Sequence, residues 1–353
     1  MELRTVERPA GAFQQSVGAG EIQAVCARVF GLDARVVSAV ELDGGMYNNT
    51  YRLTVTGQDR PVVLRVAPEP ARQFRSERQL MRNEYASLPW LSPIASLMPK
   101  VIAADWSHEL IGRDWMVQTL LDGAAAFGPR GLIAYPRESW TGFFRRLGAI
   151  TRQVHAVRGP HFGPVNGPGY ARWSQAVAAS LADIAADLDG AGLDSADLRK
   201  VAAVAAERSE VLDRITEPRL LAGDLWIVNV MLVEDAPEPT VSGVLDLDRT
   251  LWGDPAADWT IRMAHAKPGT ERDAFWDADG YGAPDGSAEA QWRGRVYEAR
   301  HLGAIRLEHH RLGDVEGVQG TYEDMAAILG DLTSDPAGDP AGDLSGDLSG
   351  GLG

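Results

Sequence analysis

The chain has 353 residues, 45% of them apolar and 24% charged, and a formal net charge of −15. This composition is typical of a globular protein large enough for two lobes, and its acidity without a basic stripe argues against nucleic acid binding. No apolar run is long enough to span a membrane, and no secretory leader is recognisable. We therefore expect a cytoplasmic protein without a membrane partner. The single cysteine, Cys26, cannot form an internal disulfide and is expected to be a core residue.

The N-terminal third of the chain alternates between strand and helix patterns. Residues 21–30 have the apolar periodicity of a helix, and residues 35–68 indicate three short strands separated by turn signals. A helix is predicted within 76–91, and two further strands within 99–107 and 114–123. Together these patterns predict a five-stranded, mostly antiparallel sheet with one inserted helix.

The rest of the chain is mainly helical in pattern. Apolar residues recur at helical spacing in four segments, 139–154, 173–188, 194–215 and 286–311. A pair of short strands, around 225–233 and 241–246, interrupts these helices. Strands first and helices afterwards are typical of an α+β arrangement with a cleft between two lobes.

An apolar run at 220–233 is interrupted by one carboxylate, Asp224, and five residues later by an amide, Asn229. Phosphoryl transfer needs a carboxylate near the attacking hydroxyl and oxygen ligands for one or two Mg²⁺ ions. Asp224 and Asn229 can supply two of these parts, and Asp246 on the next predicted strand can supply the third. Taken alone, Asp224 is equally compatible with a turn or cap carboxylate.

The residues from 223 to 258 resemble the signature of the aminoglycoside phosphotransferase family, a branch of the protein-kinase-like fold. That signature is His-Gly-Asp, an Asn five residues after the Asp, an Asp on the next strand, and Gly-Asp-Pro-x-x-Asp. The corresponding residues here are Gly223, Asp224, Asn229, Asp246, Gly253, Asp254, Pro255 and Asp258. The resemblance implies that Asp224 is catalytic and that Asn229 and Asp246 bind Mg²⁺. Asp248, Asp254 and Asp258 would be supporting residues.

The resemblance extends upstream and covers about residues 20–330. It implies a nucleotide site, for ATP or GTP as phosphate donor, formed by Gly45, Asn48, Arg65, Glu84 and the backbone at Gln118 and Leu120. Arg65 stands where the family normally has a lysine, and the three lysines of the chain all lie elsewhere. An arginine is a suitable phosphate ligand. Glu84 would orient it, with Glu77 as the second candidate.

The same resemblance implies the domain organisation. Residues 1–117 would be a nucleotide-binding lobe made of the five-stranded antiparallel sheet and its helix. Residues 118–332 would be a mainly helical lobe that carries the catalytic loop and the acceptor site. Residues 333–353 are a low-complexity repeat that we expect to be disordered. The oligomeric state cannot be predicted from these patterns.

Two departures from the family pattern bear on activity. The family histidine before Gly-Asp, which braces the loop, is Ala222 here, and this raises the alternative of a kinase-like binding module without catalysis. The loop also carries Ile227 and Val228, which do not match the family and could shape the acceptor pocket. His155, which matches a family position, is expected to be structural.

Other motifs in the chain have weaker interpretations. The run Asp246-x-Asp248-x-Thr250 is also typical of haloacid-dehalogenase phosphatases, with Asp246 as the nucleophile. That fold needs most of a domain and a lysine between this motif and its last acidic motif, and here they are eight residues apart. The pair His309-His310 is not a convincing metal site, because adjacent helical residues point apart.

We therefore expect a small-molecule kinase with Mg²⁺ as cofactor. The acceptor would be a hydroxyl group, first of all on an antibiotic of the aminoglycoside, macrolide or nucleoside type, so that phosphorylation gives resistance. A metabolic kinase for a sugar, choline or fructosamine is the alternative, because a fold and a cleft do not name a substrate.

Overall fold

The computed structural model of the chain describes residues 1–9 and 11–334. The predicted disordered tail at 333–353 thus falls almost entirely outside the described residues. Strands dominate the first third of the described chain and helices the remainder. The strands are β1 (Glu2–Arg4), β2 (Val36–Glu41), β3 (Asn49–Val55), β4 (Val62–Val66), β5 (Val101–Asp105), β6 (Trp115–Thr119), β7 (Ala124–Ala125), β8 (Gly163–Pro164), β9 (Arg219–Leu221), β10 (Val230–Leu232), β11 (Val241–Val244) and β12 (Leu251–Gly253). The helices are α1 (Ala19–Phe30), α2 (Leu80–Ser87), α3 (Trp140–His155), α4 (Trp173–Gly190), α5 (Ala196–Glu207), α6 (Ser209–Leu212), α7 (Trp259–His265), α8 (Ala288–Leu312) and α9 (Val315–Thr333).

The large sheet has the strand order β1-β2-β3-β4-β6-β5. Its five predicted strands pair antiparallel with their neighbours. A sixth strand, β1, was not predicted, and it joins the edge in parallel to β2. β1 has only three residues, Glu-Leu-Arg, of which the middle one is partly buried, and this alternation is too short to reveal a strand, which needs four to eight residues.

The central strand β4 is buried along its whole length. Because successive side chains point to opposite faces, Val62, Leu64 and Val66 pack in the core beneath α1. Arg65 points the other way, toward the face on which α2 lies. The Cys26 thiol is buried in the α1 core, as expected.

The helical part contains two connected cores. One is formed by α4, α5, α8 and α9, and the other lies around α3 and the segments before and after Asp224. Two small sheets lie near the second core, with orders β11-β10-β7 and β8-β12-β9. These short strands hold the ends of the loops that carry the predicted site residues.

Two predicted elements differ from the structure. The helix predicted over 194–215 divides into α5 and α6, because Arg208 between them leaves the helical conformation. The strand predicted around 225–233 begins only at Val230, since the preceding residues form a loop and a short 3₁₀ turn, Ile227–Asn229. Within the described residues, no helix has the length and apolar character needed to cross a membrane.

Candidate active site

Arg65 is the centre of a buried ionic network between the large sheet and the helical part. Its Nη1 donates to Glu84 Oε2 and its Nη2 to Asp246 Oδ1, both at 2.5 Å. α2 presents Glu84, and the turn after β11 presents Asp246. The structure thus brings Glu84, and not Glu77, to Arg65. Arg65 is 6% exposed, so its pair with Glu84 is shielded from solvent, and the two pairs together fix the strand, the helix and the turn to one another.

Three carboxylates share this network. Oxygen atoms of Glu84, Asp246 and Asp248 all lie within 4.8 Å of one another. Burial raises the pKa of Glu84, which Arg65 opposes, and burial raises the pKa of Asp248 well above its usual range. One arginine does not balance three carboxylates, and a divalent cation would. Carboxylate oxygens are the ligands that Mg²⁺ prefers, so this donor set fits a magnesium ion.

Asp246 has the geometry of a ligand that faces an opening. Its backbone is left-handed, with φ of 60°, a conformation that Asp tolerates better than most residues. Its side chain is 38% exposed, whereas that of Glu84 is 6% exposed. Asp246 is therefore the member of the cluster that solvent, or a metal ion from solvent, can reach most easily.

The loop that carries Asp224 passes very close to the segment after Asp246. Gly223 has φ of +82°, and a Cβ atom there would lie 2.2 Å from the carbonyl oxygen of Arg249. Only glycine fits both the conformation and the contact. Asn229 closes the loop, because its Nδ2 donates to the Asp224 carbonyl oxygen at 2.9 Å. Gly223 and Asn229 thereby fix the backbone position of Asp224.

Asp224 has the electrostatics of a base poised near neutrality. Burial raises its pKa to about 7, although the nearby Arg249 guanidinium opposes the shift. The charges of Asp246 and Glu308 add to the increase. A carboxylate with this pKa can take a proton from a hydroxyl and release it again near pH 7.

Asp258 braces the Asp224 loop from below. It is 1% exposed, and its carboxylate accepts hydrogen bonds from the Ala222 N–H at 2.7 Å, the Gly223 N–H at 3.2 Å and His155 Nε2 at 2.8 Å. Burial alone would raise the pKa of Asp258, but these donors outweigh it and lower the pKa. Asp258 also caps α7 through the Thr260 N–H. The loop is thus held from beneath although Ala222 has no polar side chain.

Asp254 is a second buried support. Its carboxylate accepts from Arg293 Nε at 3.1 Å and from the Tyr297 hydroxyl at 2.8 Å, both on α8. It also accepts from the Ala256 N–H at 3.1 Å. Asp254 therefore anchors the long helix α8 to the segment that follows β12.

The turn between β2 and β3 contains Gly45 and Asn48. Both carbonyl oxygens accept hydrogen bonds from Gln14 Nε2, at 3.0 Å and 2.9 Å. The Asn48 side chain is buried, and its Oδ1 has no partner among the described residues. Tyr47 in the same turn donates its hydroxyl to the Glu77 carbonyl oxygen at 2.8 Å. The turn is therefore held between the N-terminal segment and the chain just before α2.

Gln118 and Leu120 lie at the end of the large sheet. Gln118 is inside β6, paired with Val63 on one side and Val101 on the other. Leu120 follows the last residue of β6, Thr119. The chain leaves the sheet at this point and enters the helical part. Of the two, Leu120 is the one that lies outside the strand.

Sequence reasoning missed that three charged residues, Glu77, Arg249 and Arg311, come together near the Asp224 loop. The Glu77 carboxylate pairs with Arg249 at 3.2 Å and also with Arg311 on α8. The Arg311 guanidinium lies 4.3 Å from the ring centroid of Phe13 and 4.9 Å from that of Phe74. The sequence had pointed to Glu77 only as a second candidate to orient Arg65, and the one signal for Arg249 was its position three residues after Asp246.

The segment 74–78 is fastened to the helical part at a second place. The backbone N–H groups of Arg75 and Ser76 donate to the Asp187 carboxylate on α4, at 2.7 Å and 2.8 Å. We call this segment the strap, because it runs from the large sheet across to α4 and α8. Through Glu77 the strap also pairs with Arg249, whose charge acts on Asp224.

The antiparallel sheet, the helical part and the charged site between them define a protein of the protein-kinase-like fold. The sequence model of the phosphotransferase enzyme family matches residues 38–294, and the chain belongs to this family. A search of curated protein sequences found no match.

Solved structures are similar over nearly the whole chain. Aminoglycoside phosphotransferase APH(4)-Ia has a TM-score of 0.62 and 15% identity, covering 90% of this chain and 100% of that one. A putative fructosamine-3-kinase from Haemophilus somnus 129PT has a TM-score of 0.55 and 18% identity, covering 87% and 96%. The GDP complex of an aminoglycoside 2'-phosphotransferase-IIIa mutant has a TM-score of 0.58 and 15% identity, covering 88% and 98%. At these identities the likeness shows the fold.

Proposed function

We propose that the chain is a small-molecule kinase that transfers the γ-phosphate of ATP or GTP to a hydroxyl group. The observation that carries this proposal is the convergence of Arg65, Glu84, Asp246 and Asp248 in one buried network beside Asp224. Arg65 would bind the nucleotide phosphates, with Glu84 orienting it. Asn229 and Asp246 would bind Mg²⁺, which neutralises phosphate charge when present. The lobe boundary at residue 117 remains a prediction.

Asp224 is the proposed base. The acceptor oxygen would form a bond to the γ-phosphorus while the bond to the bridging oxygen of the nucleoside diphosphate breaks. The hydroxyl proton would pass to an Asp224 carboxylate oxygen. Catalysis would come mainly from positioning and from fixed charges, because phosphoryl transfer needs little covalent chemistry from the protein.

The remaining nucleotide contacts are proposed from the position of the chain. The turn with Gly45 and Asn48 would cover the phosphates with its backbone N–H groups. The backbone at Gln118 and Leu120 would meet the purine. Neither contact discriminates between ATP and GTP, since backbone groups serve both.

The acceptor is proposed first as an antibiotic of the aminoglycoside, macrolide or nucleoside type. A thermostable mutant of APH(4)-Ia, which is similar in fold, has been solved with AMP-PNP and hygromycin B. The second candidate is a metabolic acceptor such as a sugar, choline or a fructosamine, which the similarity to a putative fructosamine-3-kinase supports. A binding module without catalysis is the third, because Ala222 replaces the family histidine.

The test is a Mg²⁺-dependent transfer assay with labelled ATP and GTP against hydroxylated antibiotics, sugars and amino alcohols. We expect transfer to at least one acceptor, and a loss of about two to four decades in turnover for Asp224→Asn. Asp59→Asn, an exposed acid in the turn between β3 and β4, is the matched control. Nucleotide binding with no transfer to any acceptor would favour the binding module instead.

A further inference from the structure

The segment just before α1 holds the turn that carries Gly45 and Asn48. We call this segment, residues 11–16, the N-terminal arm. From it, Gln14 Nε2 donates to the carbonyl oxygens of Gly45 and Asn48, at 3.0 Å and 2.9 Å. Both N–H bonds of this one side-chain amide are thus used on one turn. The arm lies before residue 38, where the match to the family model begins.

The backbone N–H groups of the same turn are free. None of the described residues accepts a hydrogen bond from the N–H groups of residues 45–48. A peptide unit is planar and trans, so the Met46 N–H points away from the Gly45 carbonyl group and from Gln14. Successive free N–H groups in a turn form a binding site for an anion. By holding the Gly45 carbonyl group, Gln14 therefore fixes the direction of an N–H group that such an anion would meet.

Phe13, the residue before Gln14, attaches the same turn to the helical part. The centroid of its ring lies 5.6 Å from that of Tyr47 in the turn. On its other side, the Arg311 guanidinium on α8 lies 4.3 Å from the Phe13 ring centroid, a contact that stabilises a cation. Two consecutive residues of the arm thus hold the turn, and one of them also contacts α8.

The arm is itself fixed to the large sheet and to the segment after β4. Arg72 Nη1 donates to the carbonyl oxygens of Gly11 and Ala12, at 3.0 Å and 2.8 Å. Arg113 Nη1 donates to the Gln15 carbonyl oxygen at 3.0 Å. Ordering a flexible segment costs conformational entropy. Because the arm is already ordered on both sides of its Gln14 contact, it can hold the turn at little further cost.

We propose that Gln14 is a positioning residue for the nucleotide phosphates, which it affects through the turn without touching them. Gln14 holds the turn so that the Met46 N–H and its neighbours are available to the phosphates, and Phe13 supports it. The inference rests on the proposed function, because it takes this turn to cover the phosphates. Loss of Gln14 should therefore weaken the binding of phosphate groups and leave the proton transfer at Asp224 unchanged.

The first test measures binding by calorimetry with Mg²⁺ present. It compares two triphosphate analogues, AMP-PNP and GMP-PNP, with the nucleosides adenosine and guanosine, which are measured by displacement of the analogue. Gln14→Met keeps the length of the side chain and loses both donors. We expect its affinity for the bound analogue to fall about tenfold, while the affinity for the matching nucleoside stays the same. Gln58→Met, an exposed glutamine in the turn between β3 and β4, is the matched control and should bind like the wild type.

The second test measures kinetics, with an acceptor found by the transfer assay. We expect Gln14→Met to raise KM for the nucleotide about tenfold and to leave kcat and the acceptor KM within about twofold of the wild type, because Gln14 does not act on Asp224. Phe13→Leu loses the ring that contacts Tyr47 and Arg311, and should raise the nucleotide KM about threefold. A purely structural role of Gln14 would instead lower the unfolding temperature and the affinity for the nucleoside as well.

The two proposals fail in different ways. Binding of the analogue that falls in Gln14→Met while nucleoside binding does not, together with no transfer to any acceptor, would support the inference and reject the kinase. Transfer that needs Asp224, with the same affinity for the analogue in Gln14→Met as in the wild type, would support the kinase and reject the inference. The inference is also wrong if analogue and nucleoside are weakened equally, or if the wild type binds neither analogue.

Discussion

The proposed nucleotide side and the proposed acceptor side of this site are built differently. On the nucleotide side, Arg65 and Glu84 are buried and paired at 2.5 Å, and both come from elements that a sequence pattern reveals. On the acceptor side, Glu77, Arg249 and Arg311 come from a strap, a loop and a distant helix. Chemistry shared by a whole family needs a fixed geometry and a short motif, whereas acceptor recognition can be assembled from residues far apart in sequence.

The largest effect is expected from a change that removes the brace beneath the Asp224 loop. Asp258→Asn removes the charge that pairs with His155 and holds the Ala222 and Gly223 N–H groups. We expect the free energy of unfolding to fall by about 3 kcal/mol, which is typical of a broken buried pair. Denaturant unfolding would measure it, with Asp59→Asn as the control. An unchanged stability would mean that these contacts of Asp258 do not stabilise the fold.

The same carboxylate gives a pH dependence with a definite sign. The pKa of Asp258 is lower in the folded protein than its ordinary value of about 3.9. Its stabilising effect is therefore complete above pH 4 and is lost as the pH falls through the folded value. The difference in unfolding free energy between wild type and Asp258→Asn should be constant near neutral pH and should shrink in acid. A difference that grows in acid would contradict this account.

A smaller effect is expected from a change confined to the nucleotide side. Arg65→Lys keeps the charge, but a lysine cannot make both planar contacts, with Glu84 and with Asp246. We expect kcat/KM for the nucleotide to fall about 10- to 100-fold, while KM for the acceptor stays the same. Arg60→Lys, which is exposed and pairs with Asp122, is the matched control. A change mainly in acceptor KM would show that the two sides are not separable.

The smallest effect is expected on the acceptor side. Arg311→Ala removes the Glu77 pair and the contact with the Phe13 and Phe74 rings. We expect a loss of about 1–2 kcal/mol in local stability, seen as faster amide exchange in the strap and in the turn with Tyr47. The large sheet should exchange as before. Arg295→Ala is the control, and faster exchange throughout the chain would mean that Arg311 supports the whole fold.

The two sides also differ in how far they could be predicted from the sequence. The five antiparallel strands, the inserted helix and the convergence of Arg65, Glu84 and Asp246 follow from periodicity and from a family signature with fixed spacing. The strand β1 could not be predicted, because an alternation over only three residues is too short to distinguish a strand from a loop. The pairing of Glu77 with Arg311 joins positions 234 residues apart, and such a contact leaves no local pattern.

The close contact between the backbones of Gly223 and Arg249 limits which substitutions the protein can accept at Gly223. Every missense change in a glycine codon adds at least a Cβ atom, and here that atom would meet the Arg249 carbonyl group at 2.2 Å in a left-handed backbone conformation. We therefore expect that no amino acid introduced by a single base change is tolerated at position 223. Ile227 and Val228, a few residues further along the same loop and only partly buried or exposed, face no such restriction. Under the proposed function, new acceptor preferences can therefore arise at Ile227 and Val228 while the close contact at Gly223 stays unchanged.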